Sequence, residues 1–358
     1  MRRASAGLLL AGLLLAWMST ARGGGRPIVI AHRGASGERP EHTLEAYQVA
    51  IEAGADFVEP DLVATKDGVL VCRHENEISG TTDVGSRPEF AARRATKRVD
   101  GMPVTGWFTE DFTLAELKTL RARERLPELR GTGYDGRFEV PSFEELLALV
   151  GAANARPERK EHPVGVYPET KHPSYFEALG LPLEARLLEA LRRHGLDRGD
   201  AAVFIQSFEV QNLKRLAALT RVPLVQLIDA HGSPWDASHG ASRSYAEMIR
   251  PEGLQDIARY ARAIGPDKSL VLPRDAAGRL LPGTRLVGDA HAAGLLVHVY
   301  TLRAENPFLP LDLRRPGGAA VRGDLEAEAT AFLKAGVDGF FTDQPTLGVR
   351  ARDAFMGR

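Results

Sequence analysis

The feature that most limits what this chain can fold into is an alternation. Short β-branched or aromatic runs recur along nearly the whole sequence, with helical patterns between most of them. Runs anchored at Ile28, Phe57, Val164, Val203, Val222, Leu270, Val297 and Phe340 read as strands. Between them, residues 43–53, 181–193, 210–219, 254–264, 285–293 and 325–335 read as helices. Repeated strand–helix units favour a parallel sheet. Eight of them predict a (β/α)8 barrel, whose reactive groups sit at the carboxyl ends of the strands. The length of 358 residues suits one large barrel or two smaller domains.

One stretch breaks the alternation. Residues 75–163 are too long for a simple connection. They hold a polar Gly/Thr loop, a helical pattern over 114–125, a Gly-rich turn at 131–136 and a helix over 142–150. The stretch reads as an insertion lying over the barrel mouth. Trp107 and Phe108 within it are read as packing its own small core before any contact with substrate.

Chemistry-bearing residues gather at the predicted strand ends. The first strand delivers His32 and Arg33, and the run 69–72 leads to His74. Glu59 and Asp61 stand two apart on the second strand, so their side chains share a face. Glu169 and Lys171 follow the third. Three carboxylates aimed at one point repel unless a cation neutralises them, and hard oxygen ligands suit Ca2+ or Mg2+. Histidine titrates near neutral pH, so His32 and His74 are read as a proton-transfer pair. Arg33 offers a fork for two phosphate oxygens, and Lys171 a point charge. Each residue alone has a plainer reading: a solvated carboxylate, a structural histidine, an Arg33 ion pair with Glu59 or Glu169. Glu41 and His42 read as positioning residues. Gln206, Phe208 and Tyr300 end predicted strands and are expected to line the pocket. Cys72, on a strand expected to be buried, is read as inert.

These residues fall in an ordered series: His32-Arg33-Gly34, Pro40-Glu41-His42-Thr43, Glu59-Pro60-Asp61, Lys66-Asp67-Gly68, His74, Pro168-Glu169-Thr170-Lys171 and Gln206-Ser207-Phe208. The series resembles the glycerophosphodiester phosphodiesterase family, over nearly all of the chain past its first residues. The resemblance implies a barrel with an insertion after its second strand and metal ligands at Glu59, Asp61 and Glu169. It implies catalytic histidines at His32 and His74. It favours Phe208 and Tyr300 as substrate contacts. It also implies hydrolysis of deacylated phospholipids to sn-glycerol 3-phosphate and an alcohol, with Ca2+ the expected ion and Mg2+ the alternative. Glu75 stands where the commonest family pattern has aspartate, and Ser79-Gly80-Thr81-Thr82 replaces a Leu-x-Arg-Thr pattern. Rival readings are a phospholipase D-like enzyme acting on intact or lyso-lipid, and an exported barrel that binds without cleaving.

The remaining expectations come from the ends and the charge. Arg2 and Arg3, an apolar run at 8–17 and Ser19-Thr20-Ala21 read as a signal peptide over 1–21. The apolar run is short of the ~20 residues a membrane span needs. A periplasmic or secreted barrel over 22–358 is therefore expected. A net charge of -1 argues against a nucleic-acid partner. No basic amphipathic helix stands out for a membrane surface, so no stable membrane insertion is expected. The expected partner is a small-molecule glycerophosphodiester. One cysteine excludes an intramolecular disulfide, leaving the core and any bound metal to supply stability.

Overall fold

The computed structural model describes residues 25–236 and 243–357; the segment read as a signal peptide and His239 lie outside the described residues. The strands are β1 (Ile28–His32), β2 (Phe57–Glu59), β3 (Asp61–Ala64), β4 (Leu70–Cys72), β5 (Ala95–Val99), β6 (Met102–Gly106), β7 (Gly165–Val166), β8 (Glu169–Thr170), β9 (Ile205–Ser207), β10 (Leu224–Ile228), β11 (Ala263–Pro266), β12 (Leu296–Leu302) and β13 (Gly339–Thr342). β2 and β3 are two halves of one strand broken at Pro60, and β7 and β8 two halves broken before Glu169 by Tyr167-Pro168. Proline has no N–H to give to a ladder. β1 pairs in parallel with β13 on one side and β2 on the other, which closes the sheet. The ladder continues through β2–β7 and β3–β8, then β9, β10, β11, β12 and β13, all parallel. The result is the expected (β/α)8 barrel, with β4 added antiparallel to β3.

Alternation along β1 shows how the barrel fills. Ile30 points into an interior packed with Phe57, Tyr167, Val225, Ala263 and Phe341. Val29 and Ala31 face the surrounding helices. With both faces covered, the strands read as near-continuous apolar runs. The same period carries His32 to the mouth. The first helix, Leu44–Glu52, starts where Thr43 accepts a hydrogen bond from the Ala46 amide, satisfying an amide that the helix leaves unpaired.

Three predicted elements are corrected. The sixth strand is Ala263–Pro266; residues 269–272 do not form it, and Lys268–Leu270 is a short 3-10 helix. The preceding helix stops at Ile257 rather than 264. The apolar run at 269–272 outweighed a true strand that contains Gly265 and Pro266, both weak strand signals. Gly265 makes room there, because a Cβ would lie 2.6 Å from Leu227 Cδ2 and push that side chain aside. The helical pattern over 114–125 yields only Leu114–Leu117. Beyond it the Ala122 and Arg123 amides donate to the Phe138 and Thr81 carbonyls, so tertiary pairing overrides helix propensity.

The long stretch after His74 has two parts. Its helix Phe143–Asn154, opened by a Ser142/Glu145 capping box, packs on the first helix, β4 and β7, the place of a barrel helix. The remainder contains the β5–β6 hairpin, Leu114–Leu117 and a single helical turn, Pro127–Arg130. Phe108 is buried within it, and the Trp107 indole donates to the Phe90 carbonyl at 2.7 Å, so both pack this segment as expected. Its side chains reach the barrel mouth through Arg125 and Arg130. Among the described residues no helix is long and apolar enough to cross a membrane.

Candidate active site

Strand register sets the site. His32 stands beside Glu59, Asp61 beside Glu169, and Glu169 beside Gln206. The expected carboxylates therefore meet: Glu59, Asp61 and Glu169 are buried, with one oxygen of each within 4.8 Å of the others. Glu59 accepts from the Arg33 amide at 2.9 Å and the Gln206 side chain at 3.1 Å. Burial, Asp61 and Glu169 push Glu59 well above the usual carboxylate range. Burial and Asp61 push Glu169 up to about 8, against Lys171. Burial also opposes the charge on Asp61, but the positive groups around it and a hydrogen bond from His42 hold it well below its ordinary value. A divalent cation would relieve this crowding of oxygens, and the all-oxygen donor set fits one. Lys171 Nζ meets part of that demand, 2.8 Å from Glu169 Oε1 and 3.9 Å from Asp61 Oδ1.

Arg33 is anchored differently from the simple ion pairs considered in the sequence. Its guanidinium lies 3.0 Å from Glu41 and 3.2 Å from Asp61, while its backbone amide holds Glu59. Arg33 sits at φ 58°, a left-handed conformation that costs of order 1–3 kcal/mol and is kept where surrounding bonds over-determine it. His42 does not cap the first helix. Its ring bridges Tyr47 at 2.7 Å and Asp61 at 2.9 Å, as a positioning residue does.

Both candidate histidines are oriented by a carboxylate. His32 Nδ1 lies 2.7 Å from Asp343, and His74 Nδ1 lies 2.5 Å from Glu75. An Nδ1–H donated to each carboxylate leaves Nε2 free for chemistry. His74 Nε2 accepts from Lys171 Nζ at 3.3 Å. Burial and Arg33 lower His32 to about 4, against the pull of Asp343. Burial, Arg33 and Lys171 lower His74 to about 3. Burial and the neighbouring cations thus favour the neutral form of both rings at neutral pH.

One cavity of roughly 230 Å³ collects His32, Arg33, Glu59, His74, Glu169 and Lys171, and Phe208 and Tyr300 line it as expected. Asp61 does not line it but is buried beside Arg33 and Lys171, at 3.2 and 3.9 Å. Phe208 and Tyr300 pack edge to face, and Lys171 stands 5.7 Å from the Phe208 ring. Sequence reasoning missed Asp343, Arg303, Asp267 and Lys268. Arg303 and Asp343 directly follow the carboxyl ends of β12 and β13, a signal available from the barrel rule. Asp267 and Lys268 were hidden by the misplaced sixth strand. Arg303 donates to Asp343 at 2.8 Å, and Lys268 to Glu328 at 2.8 Å. His298 is buried, its Nδ1 2.8 Å from the Tyr167 hydroxyl. Cys72 is buried, and burial pushes its thiol up to about 12, so it is inert.

A parallel barrel with buried carboxylates, two carboxylate-oriented histidines and paired cations at its mouth defines a barrel hydrolase built for an anionic substrate. Residues 32–347 match the model of the glycerophosphoryl diester phosphodiesterase family, and the chain belongs to that family. It is 39% identical over 331 residues to glycerophosphodiester phosphodiesterase GDPD6 of Arabidopsis thaliana, covering 89% of this chain and 84% of that one. It is 28% identical over 345 residues to a glycerophosphodiester phosphodiesterase of Haemophilus influenzae, covering 90% and 88%. The fold is shared with an Oleispira antarctica phosphodiesterase solved in complex with sn-glycerol-3-phosphate, at TM-score 0.59, 21% identity and 91% and 97% coverage. It is shared also with a glycerophosphodiester phosphodiesterase from Agrobacterium tumefaciens, at TM-score 0.55, 19% identity and 90% and 99% coverage.

Proposed function

We propose that this protein is an exported, metal-dependent glycerophosphodiester phosphodiesterase, releasing sn-glycerol 3-phosphate and an alcohol. The observation that carries the reading is the convergence of Glu59, Glu169, two oriented histidines and the Arg33–Lys171 pair on one cavity, with Asp61 completing the buried carboxylate cluster. Glu59, Asp61 and Glu169 would hold the divalent ion, Ca2+ first and Mg2+ second. When bound, that ion supplies a Lewis acid that stabilises charge on phosphate oxygens. Arg33 and Lys171 bind and orient the phosphate. Phe208 and Tyr300 offer apolar faces to the glycerol side. One histidine takes the proton of the attacking oxygen, and the other gives a proton to the departing alcohol oxygen as its bond to phosphorus breaks. Asp343 and Glu75 keep each ring in register and stabilise its charged form. A bound phosphate also offsets the field of Arg33 and Lys171, which eases protonation of His74 on substrate arrival.

The attacking oxygen is either the neighbouring glycerol hydroxyl, giving a cyclic phosphate that water then opens, or water itself. The segment from residue 75 that reaches the mouth favours a deacylated substrate. The amino-terminal run supports export, with cleavage near Ala21. The test is to incubate the metal-supplied protein with glycerophosphocholine and, separately, with micellar phosphatidylcholine. Glycerol 3-phosphate and choline are expected from the first and little product from the second. Equal release from the intact lipid would favour the phospholipase D-like reading. Binding of glycerophosphocholine without cleavage would favour a non-catalytic barrel.

A further inference from the structure

We infer that residues 125–130, in the segment that crosses the mouth, form a positioning element that sets both histidines at once. Two arginines five residues apart, one before the turn Pro127–Arg130 and one at its end, hold the carboxylate partners of the two rings. Arg130 donates to Asp343, the partner of His32, at 2.6 Å. It also donates to Glu305 at 2.8 Å and to the Ser36 carbonyl at 2.8 Å. The Ser36 hydroxyl in turn donates to the His32 carbonyl at 2.8 Å, so Arg130 braces His32 from ring and backbone together. Arg125 forks onto Glu41 at 2.7 and 2.7 Å, and onto Glu75 at 2.9 and 2.6 Å. Glu75 is the partner of His74, and Glu41 is the partner of Arg33.

These bonds are built into the site. The Arg130 side chain is 7% exposed, and its partners Glu305 and Asp343 are 1% and 3% exposed. Arginine's planar fork fixes a carboxylate in direction as well as in charge, which lysine does not do. Neither arginine lines the cavity. Both therefore act through the histidines. A reacting group displaced by about 1 Å loses about a hundredfold in rate; losing Arg125 releases Glu75 from its fork, and losing Arg130 leaves Asp343 held by Arg303 alone. The segment thus ties its own seating at the mouth to alignment of the proton-transfer pair.

The inference rests on the proton-transfer roles proposed above, and the test separates the two. Wild type, Arg130→Met, His32→Ala and the double variant are compared in kcat and KM on glycerophosphocholine with saturating Ca2+, and Arg125→Met is treated the same way with His74→Ala. Each arginine variant should lose about tenfold to a hundredfold in kcat with KM within about threefold, and Arg130→Lys should recover only part of it. In the His32→Ala background, Arg130→Met should cost little more, because the ring it positions is gone. Arg93→Met, which removes bonds to Glu116 and the Asp111 carbonyl and cation–π contacts with Phe90 and Phe112, all within the crossing segment, should leave kcat unchanged. Arg130→Met at wild-type kcat, or equally costly with and without His32, overturns the inference and leaves the histidine roles standing. His32→Ala at wild-type kcat overturns the proton-transfer reading itself. Should Arg130→Met fail to fold, the cycle on the more exposed Arg125 and His74 decides by the same criteria.

Discussion

At the scale of single residues, the site is a set of charges each given a direction. Asp343 and Glu75 aim the imidazoles, Gln206 and the Arg33 amide aim Glu59, and His42 aims Asp61. His32→Ala and His74→Ala should therefore fold and still bind metal, yet each should lose at least about a hundredfold in kcat, the lower end of general acid–base contributions. Steady-state rates beside circular-dichroism melts check this. His298 gives a separate test through stability. Burial in the barrel interior lowers it from 6.5 to about 4. The unfolded chain then takes up a proton first as pH falls, so the contribution of His298 is present above pH 6.5 and is lost on acidification toward pH 4. The loss is on the order of 3 kcal/mol. Urea unfolding of wild type and His298→Gln between pH 7 and pH 4 should show the wild type losing more. Parallel curves would contradict it.

At the scale of elements, close approach between strands and helices dictates small residues. A Cβ on Gly165 of β7 would lie 2.3 Å from the Phe57 ring and 2.5 Å from the Ala202 carbonyl. Gly165→Ala should cost on the order of 1–3 kcal/mol by overpacking, seen as a lowered Tm, and an unchanged Tm would contradict this. The elements most legible in the sequence were those with one local signal. Val210–Leu219 follows its helical period from end to end, and β1 its apolar run with His32 at the end. β11 was misplaced because its residues answer to neighbours, Gly265 making room for Leu227, rather than to their own pattern. The same divide holds at the site. Glu59, Asp61 and Glu169 were legible because strand period and strand ends place them, with the family motifs agreeing. Arg125 and Arg130 were not, since nothing local marks an arginine whose partners lie 84 and 213 residues away.

For the whole molecule, a closed barrel concentrates three buried carboxylates, which on the proposed function work only with a divalent cation among them. Burying like charges together is unfavourable without a counter-ion, so the native protein should bind one and be stabilised by it. The most direct measurement is turnover of glycerophosphocholine by protein stripped of divalent ions, followed by stepwise return of Ca2+. The account predicts loss of turnover on stripping, recovery saturating with Ca2+, and a Tm that rises over the same concentrations. Full turnover in chelator, with elemental analysis showing no bound metal, would contradict it.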